Sequence, residues 1–418
     1  MAASQAVIVG HGHVTMTVSD DGFAWKSAEP QVFNRVCRDI VWCEDKNLWL
    51  AVGDGLNNEG GRIQVATSPD LTIWRSYNLF DQAGYVCAHG AGLLVVGGFF
   101  HLDDDSEEVP TSTLAYSEDG CAWVSVPFTV VPCVWVTGIS YSANHNLWVI
   151  IGEYADEGNI MVTTHDFASF QTHKLPFDES NGILIKEDRI YVYGENHEED
   201  SESCDDSSDD GGEGLGAIPE DGMADDGMGV GEGEQSGPGS HVGQSEIPEE
   251  CRKEIFIVSS CDGVTWQDLD VPELLEGLTS LAHVPALERW VGLTNDGQVI
   301  SSIDGLTFGI DGKVLDEARK MIVQNQTVML LGCDETHGLG VTTDWTDFKV
   351  LPFRFNDACF VPGWGKWIGI GDSTSRQPGI WSSVDTIKWD TVVEPRVMKT
   401  KGKKVYTEVL EYYSIAYK

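Results

Sequence analysis

The chain has 418 residues, of which 46 are glycine and 14 are tryptophan, and its formal net charge is −41. Nucleic acids and anionic membranes are bound by clustered Lys and Arg, so this charge disfavours both as partners and favours a basic protein. No apolar run approaches the length of a membrane span and no secretory signal is visible at the start, so we expect a cytoplasmic protein.

A short pattern recurs eight times: a Ser or Thr, an Asp two residues later, and an aromatic residue four residues after the Asp. The copies begin at Ser19, Ser68, Ser117, Thr164, Ser260, Ser302, Thr342 and Ser383. Successive copies are 49, 49, 47, 96, 42, 40 and 41 residues apart. A period in the forties with one double-length gap indicates a radial or solenoidal repeat with a single insertion.

Each copy lies between two short apolar runs, which predicts that it forms the turn of a β-hairpin. The Asp carboxylate can accept backbone N–H groups of its own turn, and the aromatic residue offers apolar surface for packing between repeats. Eight copies favour this structural role over catalytic acids or calcium ligands. The predicted turn and packing residues are Asp21 and Trp25, Asp70 and Trp74, Asp119 and Trp123, Asp166 and Phe170, Asp262 and Trp266, Asp304 and Phe308, Asp344 and Phe348, and Asp385 and Trp389.

The pattern resembles the Asp-box (BNR-type) repeats of β-propellers in their compact S-x-D-G-x-x-W form, as in Ser117–Trp123. The resemblance covers all eight periods and implies an all-β propeller fold. Proteins with such repeats include sialidases, other glycoside hydrolases, photosystem II assembly factors and sortilin-type receptors, so the resemblance implies fold more than activity. The F/Y-R-I-P motif of sialidases is absent from the sequence, which disfavours a sialidase.

Four strand-like segments recur in each period, most clearly from Gly84 to Phe128. One period is therefore predicted to be one four-stranded antiparallel blade, and residues 1–418 a single domain. Only two strands fit before the first copy, whereas residues 412–417 resemble a first strand. We predict an eight-bladed β-propeller whose ring is closed by the C-terminal strand pairing into the N-terminal blade, with a seven-bladed ring as the alternative.

The double-length gap contains residues 196–251, which carry 18 acidic residues and no Lys or Arg. A segment so poor in aromatic and β-branched residues cannot bury enough apolar surface to offset its ordering entropy, so we predict that it is disordered. It falls between the second and third strands of the fifth predicted blade.

Because strands alternate in direction, the long loops between second and third strands share one rim of the predicted propeller, opposite the turns. Two of these loops are acidic, which predicts a face for a basic protein partner; the alternative is that they only raise solubility. The acidic residues assigned to this face are Asp103, Asp104, Asp105, Glu107, Glu108, Glu198, Glu199, Asp200, Asp205, Asp206, Asp209 and Asp210.

Two pairs of charged residues, Arg38 with Asp39 and Arg319 with Lys320, precede predicted first strands and are expected at the mouth of the central channel. They could hold a small anionic ligand, or form ion pairs around a solvated channel. A basic cluster in the last connection, from Lys399 to Lys404, makes a nuclear location the alternative to a cytoplasmic one.

The sequence contains no G-x-S-x-G, P-loop, H-E-x-x-H or C-x-x-C motif. We therefore predict no cofactor and no metal site, and reduced cysteines. The leading hypothesis is a non-enzymatic propeller, monomeric or part of a larger complex, that binds a protein partner. The competing hypothesis is a glycan-binding or glycoside-hydrolysing propeller whose carboxylates come from distant blades.

Overall fold

The computed structural model describes residues 4–12, 14–56, 60–100, 109–154, 158–186, 188–196, 256–269, 271, 277–333, 338–373, 378–392, 398–401, 404–407 and 411–418. The chain divides into a compact unit of Met1–His197 with Glu254–Lys418 and a second unit of Glu198–Lys253. All described residues belong to the first unit. Of the predicted insertion, residues 197–251 lie outside the described part of the chain.

The described residues are almost entirely β-strand, with one 3-10 helix at Pro285–Leu287. Within these ranges no helix has the length and apolar character that a membrane span requires. The strands fall into eight antiparallel sets of four, which we number in chain order. Set 1 takes its first strand from the C-terminus of the chain and its other three from the N-terminus.

The bounds of the strands follow the order of the sets. The first strands, from set 1 to set 8, are β34 (Glu411–Tyr417), β4 (Val36–Cys43), β8 (Ala83–Gly90), β12 (Trp135–Ser142), β16 (Glu179–Lys186), β20 (Leu278–Val284), β24 (Ala318–Gln324) and β28 (Phe353–Val361). The second strands are β1 (Ala6–His11), β5 (Leu48–Leu56), β9 (Leu93–Phe99), β13 (Leu147–Glu153), β17 (Arg189–Glu195), β21 (Arg289–Thr294), β25 (Thr327–Gly332) and β29 (Lys366–Ser373).

The third strands are β2 (Met16–Ser19), β6 (Arg62–Ser68), β10 (Leu114–Ser117), β14 (Asn159–Thr164), β18 (Ile257–Ser260), β22 (Gln298–Ser302), β26 (Leu339–Thr342) and β30 (Pro378–Ser383). The fourth strands are β3 (Lys26–Ser27), β7 (Arg75–Tyr77), β11 (Val124–Val126), β15 (Gln171–Lys174), β19 (Gln267–Asp268), β23 (Gly309–Lys313), β27 (Lys349–Leu351) and β31 (Asp390–Val392). A hairpin of β32 (Met398–Lys401) and β33 (Lys404–Thr407), which the repeat pattern does not predict, follows set 8.

Sets 5 to 8 are separate four-stranded sheets, whereas sets 1 and 2, and sets 3 and 4, join into eight-stranded sheets. A single residue pair makes each join: His11 with Val36, and Phe99 with Trp135. The prediction of an all-β structure built from four antiparallel strands per repeat is confirmed, and this organisation is consistent with a β-propeller.

The apolar core is divided into eight clusters, each lying between two consecutive sets. Alternate residues of a second strand serve different clusters: Trp49 and Ala51 pack between sets 1 and 2, and Leu50 and Val52 between sets 2 and 3. Because both faces of each set are covered, second strands read as continuous apolar runs rather than alternating ones.

The eight recurring turns are held by side chains of the Ser/Thr–Asp pattern. In every copy the Asp Oδ1 accepts the backbone N–H groups two and three residues later, at 2.7 to 3.1 Å. The hydroxyl oxygen accepts the N–H three residues on, as Ser117 Oγ does from Gly120 at 2.9 Å. The aromatic residue of each copy packs on the cluster shared with the preceding set, as Trp123 does between sets 2 and 3.

The residue after each Asp of the pattern has a positive φ, between 57° and 75°. Glycine meets this requirement in four copies, but Leu71, Phe167, Trp345 and Thr386 occupy the position in the others. These four side chains are buried, so apolar contact offsets the cost of a left-handed conformation.

The strand β34 contributes Ile415, which is 8% exposed, to the cluster between sets 8 and 1. We predict that Ile415→Ala lowers the free energy of unfolding by about 2–4 kcal/mol, because it removes buried methyl groups and leaves a cavity. Ile303, which is 76% exposed at a turn, provides the matched control. Ile303→Ala should change stability by less than about 0.5 kcal/mol in urea unfolding; equal effects of the two substitutions would contradict the placement of β34.

Backbone N–H groups donated by Thr346 and Asp347 lower the pKa of Asp344 to about 2. A carboxyl group whose pKa is lower in the folded state stabilises that state. The stabilisation is complete at pH values above the pKa of the unfolded chain, about 3.9, and is lost as the pH falls through the pKa of the folded state. We predict that Asp344→Asn is less stable than the wild type at pH 7 and that the gap narrows as the pH falls from 5 to 3. Urea unfolding midpoints at pH 7, 5 and 3 measure the difference in stability between the two proteins, with Asp347→Asn in the same turn as the control. A difference that does not change with pH would contradict the prediction.

Candidate functional site

The first strand of each set is irregular near its beginning. A β-bulge shifts the register between the first and second strands, so that two residues of the first strand lie opposite one residue of the second. The bulged residues, from set 1 to set 8, are Tyr413, Arg38, Tyr85, Thr137, Asn181, Thr279, Arg319 and Asn356. We call the edge of each set where the first strand begins and the second ends the loop edge. The opposite edge, which carries the Asp-containing turns, is the turn edge.

In five of the sets, a glycine of the second strand accommodates the bulge. A Cβ atom on Gly53 would clash with the carbonyl oxygen of Val36, and one on Gly194 would clash with that of Glu179. A Cβ atom on Gly152, Gly332 or Gly371 would clash in the same way with a carbonyl oxygen of the first strand in its own set or of the residue just before that strand. Gly53 lies within β5 and opposite Cys37, so this recurring glycine permits close approach of two strands rather than marking the end of one.

Several bulged residues reach the next set. The guanidinium carbon of Arg38 lies 5.3 Å from the centre of the Tyr85 ring, and Arg319 Nη1 donates to Asn356 Oδ1 at 3.1 Å. Asn181 Nδ2 donates to the carbonyl of Leu278 at 3.1 Å. The loop edge is therefore tied together from set to set by side chains of different chemistry.

The residue after the bulge adds a second series of links between sets. Asp39 Oδ2 accepts the N–H of Cys87 at 3.0 Å, and Ser280 Oγ accepts that of Met321 at 2.9 Å. Asp357 Oδ2 accepts the N–H of Ile415 at 3.1 Å, while its Oδ1 receives Lys320 Nζ at 2.7 Å. In this way Asp357 links three sets.

The charged residues predicted at the channel mouth lie inside first strands rather than before them, because β4 begins at Val36 and β24 at Ala318. Arg319 and Lys320 bind side chains of set 8, and Arg38 stacks on Tyr85. Burial raises the pKa of Asp39, and Lys320 acts in the opposite direction. Of these contacts, the one between Lys320 and Asp357 is an ion pair between sets, and the role of the four residues at a channel mouth stays a prediction.

All twelve acidic residues assigned to the binding face, from Asp103 to Asp210, lie outside the described residues. The strands that flank them are described. Leu114 pairs with Gly97, and Ile257 pairs with Tyr193, so each acidic segment leaves and re-enters its set between paired second and third strands. Both points of attachment are at the loop edge.

A group of aromatic and acidic residues, which the sequence pattern does not predict, lies at the loop edge of sets 3 to 5. Trp135 lies opposite Glu153 in the register of β12 and β13. Burial raises the pKa of Glu153, and the nearby carboxylate of Glu179 raises it further. Burial likewise raises the pKa of Tyr85, with Arg38 lowering it and Glu179 raising it. These aromatic and acidic residues share no sequence pattern. The only signal in the sequence for their positions comes from the glycines that lie opposite the bulges.

Two cavities lined by described residues lie at the turn edge. One, of about 220 Å³, lies between sets 2 and 3 and is lined by Thr67, Arg75, Asp119 and Cys121 among others. Arg75 Nη1 donates to Cys121 Sγ there at 2.6 Å. The other, of about 480 Å³, is a more open hollow beside Asp304 in set 6. In the part of the chain that the structure describes, no group of three or more His, Cys, Asp or Glu side chains is placed to hold a metal ion.

The chain matches no protein-family model and no curated protein sequence. Solved structures that resemble it include YCF48 bound to D1 peptide, with 13% identity and a TM-score of 0.45 over 83% of this chain and 91% of that one. The computationally designed Ika8 protein is 11% identical to this chain and superposes with a TM-score of 0.48, over 90% of this chain and 96% of that one. An ancestral GH74 enzyme is 10% identical and superposes with a TM-score of 0.49, over 89% of this chain and 48% of that one. The fold assignment therefore rests on the strand order and on the contacts between sets.

The ion pair between Lys320 and the buried Asp357 can be tested directly. We predict that Lys320→Met lowers the free energy of unfolding by about 1–2 kcal/mol, because the carboxylate stays buried without its cation; partial exposure of Lys320 keeps the loss below that of a fully buried pair. Lys349→Met, at an exposed position of the same set, should change stability by less than about 0.5 kcal/mol. Urea unfolding measures both, and equal losses would contradict the assignment.

Proposed function

We propose that the eight sets are the blades of one closed eight-bladed propeller of the Asp-box superfamily. Three observations support this. Each first strand contacts the first strand of the next set, and β34 contacts both β28 and β4. One apolar cluster occupies each junction, including that between sets 8 and 1. The Asp-containing turn closes each of the eight sets with the same hydrogen bonds.

Within this propeller, we propose a non-enzymatic function: binding of a basic protein partner at the loop edge. The observation that carries the proposal is that both acidic segments, residues 103–108 and 196–251, fall between paired second and third strands at that edge. Glu153, Glu179 and Glu195 add carboxylates there on sets 4 and 5. A cation-rich partner would be attracted at long range by this charge and held by contacts at short range.

We further propose that the protein is cytoplasmic or nuclear, and that it is a monomer or a subunit of a larger complex. Residues 196–251 are proposed to be disordered. The acidic segment would then act as a tether that concentrates the partner near the loop edge. The affinity for the basic partner should fall as the salt concentration rises, because exposed charges are screened over about 10 Å at 0.1 M ionic strength.

A second candidate function is glycoside hydrolysis, and the pair Glu153 and Glu179 favours it. General acid catalysis by a glycoside hydrolase uses a carboxyl group with a raised pKa, as Glu153 has, together with a second carboxyl group such as that of Glu179. A screen of aryl glycosides with the wild type and Glu153→Gln tests it. Turnover that the substitution abolishes would support hydrolysis, and absence of turnover in the wild type would remove this candidate.

We predict that a variant in which all 18 acidic residues of 196–251 are replaced by Asn and Gln folds as the wild type does but loses its basic partners. The fold should persist because β17 and β18 pair outside this segment. Affinity purification at 50 and 200 mM salt, followed by mass spectrometry, compares the two chains, and thermal unfolding checks the fold. An unchanged set of partners would contradict the proposed function.

A further inference from the structure

An aromatic surface at the loop edge is held rigidly by its neighbours. The ring of Trp135, the first residue of β12, makes an edge-to-face contact with Tyr85 at 4.9 Å and with Phe99 at 5.2 Å between ring centres. Both neighbours come from set 3, so two strands of one set fix a ring of the next. A side chain already fixed in this way loses little conformational entropy when a ligand contacts it.

Carboxylates flank this aromatic surface. Glu153 is directly opposite Trp135 in the ladder, where Cβ atoms of opposed residues lie roughly 5 Å apart. Glu179, the first residue of β16, precedes Ser180, whose hydroxyl lies 3.1 Å from that of Thr137 in β12. Its carboxylate raises the pKa of both Glu153 and Tyr85. Glu153 is half-buried and Glu179 is exposed, and a cation placed between them would be attracted to both carboxylates.

We propose that Tyr85, Trp135, Glu153 and Glu179 form a subsite that receives a lysine or arginine side chain of the basic partner. The inference rests on the proposed function and gives it a point of contact. A guanidinium or ammonium group is attracted to the face of an indole ring and to carboxylates, and the two attractions act together in a partly desolvated site. The rest of the partner would remain free to contact the acidic segments.

Arg38 distinguishes this subsite from an anion site at the same edge. Its guanidinium lies over Tyr85 and comes from set 2, whereas Trp135 and Glu153 come from set 4. If the edge bound an anion, Arg38 would be the natural ligand and its loss would abolish binding. If the edge binds a cation, loss of Arg38 should leave binding unchanged or strengthen it.

The test uses the full chain and a fluorescein-labelled nonapeptide of alternating arginine and serine, with binding followed by fluorescence anisotropy at 100 mM salt. Glu179→Gln should raise the Kd about fivefold to tenfold, and Trp135→Leu by a similar factor. Glu118→Gln removes the same charge from an exposed position at the turn edge and should raise it less than about twofold. Arg38→Gln should not raise it.

Each outcome bears on the inference. Equal effects of Glu179→Gln and Glu118→Gln would show only general attraction to an acidic protein and would overturn the subsite while leaving the proposed function intact. Failure of the wild type to bind the peptide would count against both. Loss of binding in Arg38→Gln would assign the edge to an anion instead. If thermal unfolding shows that Trp135→Leu does not fold, Glu179→Gln still tests the subsite, because Glu179 is exposed.

Discussion

The fold depends on the pairing of β1 with β34, which brings residues 411–417 against residues 6–11 in antiparallel register. Every other set takes its four strands from one continuous stretch of chain, interrupted at most by a loop. Without β34, one edge of β1 would expose unpaired N–H and C=O groups, and Asp357 would lose the N–H of Ile415. This contact spans nearly the whole sequence, so its closure entropy must be met by the packing of sets 8 and 1.

The recurring turns could be predicted from the sequence because their determinants are local. A hydroxyl, a carboxylate and the N–H groups of the next few residues form one hydrogen-bonded unit, as from Ser117 to Ala122. The same locality made the apolar second strands and the four-stranded repeat predictable, since both faces of each set are buried. Local patterns of this kind keep their meaning wherever the repeat is placed.

The bulges and the aromatic and acidic group at the loop edge could not be predicted, because they depend on the register of paired strands and on contacts between sets. Arg38 and Tyr85 have the same structural position and meet only because sets 2 and 3 are neighbours. Trp135 and Glu153 are brought together by register, which depends on the bulge before Gly138. The glycines opposite the bulges were visible in the sequence, yet a glycine in a strand also ends strands and forms turns, so its meaning became clear only with the strands paired.

Hydrogen–deuterium exchange of the C-terminal strand tests the closed arrangement most directly. If β34 fills the position between β28 and β4 and pairs with β1, its amides should exchange as slowly as those of β4 and β28, within about tenfold, since all three open only with the whole structure. Exchange of residues 411–417 at the rate of an unprotected peptide, while β4 and β28 stay protected, would contradict the closed propeller.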